Sequence, residues 1–166
     1  FTIRINNLEA LYKNFFRQKK TNPILNALEE IPVFENLSLK ELKNIVQLTH
    51  ERKYKLNEHI FKKYAPAEGM YIILNGSIKI FDPESKNTYA ELFSGDFFGE
   101  LALLDEEPRS ASAISTKASR LIGFFRSDLL TLIKRNPELG NKILLNLSRV
   151  LGERLRKTNK ELAKTK

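Results

Sequence analysis

Between residues 50 and 126, short β-prone runs alternate with turn signals roughly every 8–12 residues, a rhythm that suits a barrel or sandwich and not a parallel sheet. Tyr71-Ile72-Ile73-Leu74, then Asn75-Gly76, then Ser77-Ile78-Lys79-Ile80-Phe81 reads as a β-hairpin. Asn-Gly there supplies the two residues that tolerate the positive φ of a type I′ turn. Asp82-Pro83-Glu84-Ser85-Lys86-Asn87 is a second turn, with a strand over Thr88–Phe93 after it. Ser112–Thr116 and Ser119–Arg126 are two further short runs.

Helical patterning flanks this segment. Leu8, Leu11, Tyr12 and Phe15 fall at i, i+3, i+4 and i+7, an amphipathic stripe broken at Asn22-Pro23. Pro23 suits the first turn of a short helix through Glu30. Ser38 with Glu41 three residues on is a capping box. It predicts a helix whose apolar face is Leu39, Leu42, Ile45, Val46 and Leu48. Downstream, Ser127 is placed to cap a helix that Asn136-Pro137 breaks. A long helix then runs from Glu138, with Ile143, Leu147, Leu151 and Leu155 recurring every four residues. Gly140 and Gly152 weaken it by roughly 1 kcal/mol each relative to Ala. Gly152 also lets a partner helix come close.

Composition narrows the chemistry. A chain of 166 residues suits one domain. The absence of cysteine excludes thiolate catalysis, disulfides and Cys-based zinc sites, and fits a reducing cytosol. No apolar run is long enough to span a membrane. His50 and His59 are the only histidines and lack ligand partners at zinc spacing, and no Gly-x-Ser-x-Gly motif occurs. An enzyme is therefore not expected. The net charge of +8 is concentrated at the two ends, residues 1–20 and 152–166, and the centre is neutral. Such ends suit nucleic acid, an anionic lipid surface or an acidic protein; equally, they suit solvated helix faces.

The densest chemical statement lies in Phe98-Gly99-Glu100-Leu101-Ala102-Leu103-Leu104 and, after an acidic Pro-containing loop, Arg109-Ser110-Ala111-Ser112. Gly99 opens an apolar helical turn whose first N–H groups lack internal partners, and its missing Cβ permits close approach. Arg109 can hold a phosphate through paired hydrogen bonds and keeps its charge. Glu100 would repel that phosphate but suits a sugar hydroxyl. On the residues alone, a simple Glu100–Arg109 ion pair tying a loop to a sheet fits as well.

The same stretch resembles the phosphate-binding cassette of the cyclic nucleotide-binding domain family, which includes the bacterial catabolite activator, the regulatory subunits of cAMP-dependent protein kinase and cyclic-nucleotide-gated channels. Phe98-Gly99-Glu100-Leu101-Ala102-Leu103 and Arg109-Ser110-Ala111 match every position of that cassette, and Ile73–Ile80 is similar to the family's hairpin. The resemblance covers roughly residues 24–162. It implies a mainly β fold with α elements: an antiparallel, jelly-roll-like β-roll with short flanking helices over 23–136. A basic helical extension over 1–22 would precede it, and a long C-terminal lid and dimerisation helix over 137–166 would follow. It further implies a cyclic nucleotide as ligand, with no other cofactor and no metal. Glu100 would accept the ribose 2′-hydroxyl. Arg109 would meet the phosphate together with the N–H groups of Leu101 and Ala102 and with Ser110. Ser110 leans the site towards cAMP over cGMP, and Thr158 and Asn159 are candidates to touch the base.

The resemblance implies a homodimer through the C-terminal helix, with Ile143, Leu147, Leu151 and Leu155 in the seam, and a cytoplasmic protein. No helix-turn-helix follows the long helix, so direct sequence-specific DNA binding is not expected. The basic ends suit an acidic protein or a membrane surface. A pseudo-receptor that keeps the fold without ligand, and the sensor part of a larger regulator or channel, are the alternatives.

Overall fold

Asn22 and Pro23 start the first helix, α1 (Pro23–Glu29): the Asn22 side chain accepts from the N–H groups of Ile24 and Leu25 at 3.0 and 3.4 Å. The structure, a computed structural model, describes residues 22–164. The expected helical extension with its Leu8–Phe15 stripe lies outside the described residues. A 3-10 turn over Pro32–Phe34 leads to α2 (Leu39–Gln47). The capping box of α2 forms as read, with Ser38 N–H donating to Glu41 Oε2 at 2.7 Å and Glu41 N–H to Ser38 Oγ at 3.3 Å. Leu42 and Ile45 bury, but Leu39 is 53% exposed and is not part of the inward face.

Glu41 also accepts a 2.8 Å bond from Lys142, which joins α2 to the C-terminal helix. That ammonium, with the Ser38 cap behind it, lowers the Glu41 carboxyl from its ordinary 4.5 to about 2. A depressed carboxyl contributes stability above its unfolded pKa and loses it as pH falls through the folded value. Glu41→Gln keeps the cap but loses the charge facing Lys142, and is therefore expected to melt below the wild type at neutral pH, by up to about 1 kcal/mol. The gap should close between pH 4.5 and about 2, as read by thermal denaturation.

Eight strands follow: β1 (Thr49–Tyr54), β2 (His59–Phe61), β3 (Gly69–Asn75), β4 (Ser77–Phe81), β5 (Thr88–Phe93), β6 (Phe97–Phe98), β7 (Ser112–Ser115) and β8 (Ser119–Phe125). They form two four-stranded sheets, ordered β1-β8-β3-β6 and β2-β7-β4-β5, with antiparallel pairings throughout. The two sheets close over each other as a roll lined by Tyr71, Ile73, Ile78, Phe98, Ala113 and Leu121. On its other face the first sheet presents Met70, Ile72, Ile122 and Phe124 to the helices. Strand β3 is buried on both faces, which explains its unbroken apolar run.

The Tyr71–Phe81 segment is not a hairpin. β3 bonds to β6 and β8, and β4 to β5 and β7, so Asn75-Gly76 is a corner at which the chain changes sheets. Gly76 alone takes a positive φ, 105°, so the turn is not type I′. A Cβ on Gly76 would lie 2.1 Å from Ser119 Oγ. Hydroxyls pin this corner: Ser119 Oγ accepts from Ser77 N–H at 3.2 Å, and Ser77 Oγ and Thr116 Oγ1 share a 2.6 Å bond. The true hairpin is β4–β5, closed by the Asp82–Asn87 turn.

Helix α3 (Arg126–Arg135) begins without the expected Ser127 cap. Phe125 is the capping position, and Arg126 N–H donates to Glu68 O at 2.8 Å, which puts Ser127 inside the helix. The long helix α4 spans Pro137–Lys164. Gly140 is a close-packing position, since its Cβ would meet Ile133 Cγ1 at 2.6 Å at the α3–α4 crossing. At Gly152 a Cβ would meet only the Arg156 side chain, so no neighbour in this chain requires that glycine.

The four-residue stripe of α4 does not stay on one face. Ile143 and Leu147 are fully buried in the chain's own core, Leu151 is half-buried and Leu155 is 62% exposed. A step of four residues overshoots a turn of about 3.6, so the row winds around the helix. Ile143 and Leu147 are therefore not available to a dimer seam. Among the described residues no helix is long and apolar enough to cross a membrane.

Candidate functional site

β6 ends at Phe98, and Gly99 then turns the chain with φ 77° into a 3-10 turn over Glu100–Leu103. Gly99 serves two needs. Its φ is left-handed, and an added Cβ would sit 2.8 Å from Arg109 Nη1, so the missing side chain is what admits the guanidinium. Arg109 is 7% exposed. Its Nη2 donates to Gly69 O at 2.7 Å and its Nη1 to Gly99 O at 3.3 Å. Its Cζ lies 4.1 Å from the Phe61 ring centroid, a cation–π contact. Burial lowers the Arg109 pKa, opposed by Tyr71, Glu68 and Glu100, yet a guanidinium stays charged.

Glu100 and Arg109 do not form the ion pair that the residues alone allowed. Glu100, 4% exposed, is bonded through Oε1 to Arg154 Nη1 of α4 at 2.5 Å. Arg154 also donates to Phe97 O at 3.3 Å and lies 4.7 Å from the Phe97 ring centroid. Glu100 Oε2 and Arg109 Nε are buried and have no hydrogen-bond partner. A buried polar atom without a partner costs about 1–3 kcal/mol, and Arg126 Nε at the start of α3 carries the same cost.

Both residues line a cavity of about 570 Å³ that also takes in Phe98, Gly99, Leu101, Ala102, Ser110 and Ala111. Eight of the ten residues singled out from the sequence thus meet at one cavity. Thr158 and Asn159 do not: both are exposed on α4 beyond Arg154, and Thr158 Oγ1 donates to Arg154 O at 3.0 Å. Arg154 is the α4 residue that lines the cavity. Helical spacing was the available signal, since Arg154 follows buried Leu147 and Val150 by seven and four residues. The apolar wall of Phe61, Ile80, Ala90, Leu92 and Phe97 was also not anticipated; all but Phe97 come from other strands, β2, β4 and β5. The N–H of Ala102 is taken by Gly99 O at 3.2 Å, so it is not an open anion donor as expected. His50 stands apart from this cavity, 3.2 Å from Asp128 and beside the Phe125 ring.

A buried cation and a buried carboxylate lining one largely apolar pocket fit a ligand with an anionic group, a hydroxyl and a flat apolar body. Comparison with known proteins agrees. The family model of the cyclic nucleotide-binding domain matches residues 51–136. The cyclic AMP receptor protein of Thermus thermophilus is 33% identical over 134 residues, which cover 79% of this chain and 60% of that protein. A putative potassium channel protein of Rhodopseudomonas palustris is 35% identical over 114 residues, 68% of this chain and 28% of that one. The crystal structure of the Thermus thermophilus catabolite activator protein superposes with a TM-score of 0.71 at 32% identity, covering 80% of this chain and 62% of that one.

The chain belongs to the cyclic nucleotide-binding domain family, a class of regulatory sensor domains and not of enzymes. It spans less than two thirds of the length of these relatives.

Proposed function

We propose that this domain is a cyclic nucleotide receptor that binds cAMP in preference to cGMP. The observation that carries the reading is that Glu100 and Arg109, a buried carboxylate and a buried guanidinium not paired with each other, line one cavity. Arg109 would hold the cyclic phosphate and Glu100 Oε2 the ribose 2′-hydroxyl, with Ser110 beside the phosphate and Ile80 and Leu92 against the base. The lean to cAMP rests on Ser110 and on the name of the Thermus thermophilus relative.

One carboxylate would then carry both ligand and helix, since Glu100 Oε1 already holds Arg154 of α4. Binding at Oε2 would change the hydrogen bonding and position of the group that α4 grips. That is the differential contact a signal through the C-terminal helix requires. Residues on one face of α4 also suit a homodimer: exposed Leu145, Ser148, Leu155, Asn159 and Leu162, with half-buried Gly152, recur at alternating three- and four-residue steps, a heptad seam. Gly152 would let the partner helix approach, and the basic end beyond it suits an acidic protein or membrane surface.

The test uses 2′-deoxy-cAMP. Calorimetry is expected to show wild type binding the deoxy ligand roughly 10–150-fold more weakly than cAMP, the worth of a hydrogen bond to a charged group. In Glu100→Gln most of that difference should vanish. An undiminished difference in Glu100→Gln would remove Glu100 from the sugar.

A further inference from the structure

Arg109 is held from behind by a segment outside the cavity's chemistry. The loop between β2 and β3 bonds to Arg109 at both its main chain and its side chain. Tyr64 N–H donates to Arg109 O at 2.8 Å, and Arg109 N–H donates to Ala65 O at 2.9 Å. Gly69 O, where the loop enters β3, accepts from the guanidinium. The path of this loop therefore sets where Arg109 sits.

That path is unusual at one residue. Tyr64 has φ 69°, a left-handed conformation that a bulky side chain rarely adopts. Such geometry persists only where surroundings over-determine it. The surroundings are the β4–β5 turn. Tyr64 Oη donates to Glu84 Oε1 at 2.9 Å, and Lys63 Nζ donates to Glu84 Oε2 at 2.8 Å and Asp82 Oδ1 at 2.9 Å. The Lys63 ammonium also lies 5.1 Å from the Tyr64 ring centroid, and Lys63 N–H donates to Ser112 Oγ at 2.9 Å. The Lys63 and Asp82 side chains are largely buried. Lys63 holds the Asp82 carboxyl down at about 2, so the cluster stays charged at neutral pH.

We propose that Lys63, Tyr64 and Glu84 form a strut that positions Arg109 for the anionic group of the ligand. These are positioning residues: each acts through the Arg109 main chain. The consequence for nucleotide affinity rests on the receptor reading above; the hold on Arg109 does not. It also gives the Asp82–Asn87 turn, which closes a hairpin at the roll's surface, a part in ligand binding.

The experiment compares Glu84→Gln, Tyr64→Phe and Tyr64→Gly, alone and as Tyr64→Gly with Glu84→Gln. It uses cAMP calorimetry and amide hydrogen exchange at Arg109 in the ligand-free protein. Glu84→Gln and Tyr64→Phe are expected to bind cAMP about three- to tenfold more weakly, with faster Arg109 exchange and little change in melting temperature. Gly accepts φ 69° without a hold, so with Tyr64→Gly in place Glu84→Gln should have little further effect. A merely structural role would instead give additive losses in melting temperature. Wild-type affinity within twofold together with unchanged Arg109 exchange in both single variants overturns the strut. If wild type itself binds neither cAMP nor cGMP, the receptor reading fails, and the exchange rate at Arg109 still decides the strut.

Discussion

Arg109→Ala is expected to weaken cAMP binding by roughly 30-fold or more while leaving a folded, less stable domain. The side chain does two jobs. Towards the ligand it offers a fixed positive charge at a cavity with an apolar wall. Truncating one partner of a buried charged pair costs about 2–5 kcal/mol or more, which weakens binding by roughly 30-fold to several thousandfold. Towards the protein it satisfies Gly69 O and Gly99 O, whose loss as acceptors should lower stability by about 1–3 kcal/mol. Arg109→Lys separates the jobs: it keeps charge but cannot span both carbonyls and the Phe61 ring, so it should recover part of the affinity and little of the stability. Calorimetry and thermal melts on the two variants check this, and equal affinity of Arg109→Ala and wild type would remove Arg109 from the site.

The second large effect lies on α4. Leu147→Glu is expected to unfold the domain or destabilise it by more than about 4 kcal/mol, whereas Leu155→Glu should leave monomer stability within about 0.5 kcal/mol. Leu147 is fully buried against the helix side of the first sheet, so the substitution loses about 1.5–3 kcal/mol of apolar burial and buries a carboxylate without a partner. Leu155 is 62% exposed. Light scattering should show Leu155→Glu shifted towards monomer if the exposed seam pairs two chains, and the oligomeric state unchanged if it does not. Denaturant melts that find the two variants equally stable would contradict the placement of α4.

These residues also show what the chain reveals before it is folded. Caps are local, and Ser38 with Glu41 was legible because both donors lie within four residues. The cassette was legible because one short segment carries its turn glycine, carboxylate and arginine. The Asn75-Gly76 corner was not: a hairpin and a change of sheet use the same turn signal, and only the distant Ser119 and Thr116 decide between them. The α4 stripe misled for a geometric reason, since residues four apart drift around the helix and the own core takes the first two. Arg154 was not singled out because its place at the cavity depends on Glu100, 54 residues away in sequence.

The most direct test of the central claim is a calorimetric titration of the wild-type domain with cAMP and with cGMP. Saturable heat at one site per chain, tighter for cAMP, is the predicted result. No heat with either nucleotide up to roughly millimolar concentration, where binding is worth only about 4 kcal/mol, would contradict it.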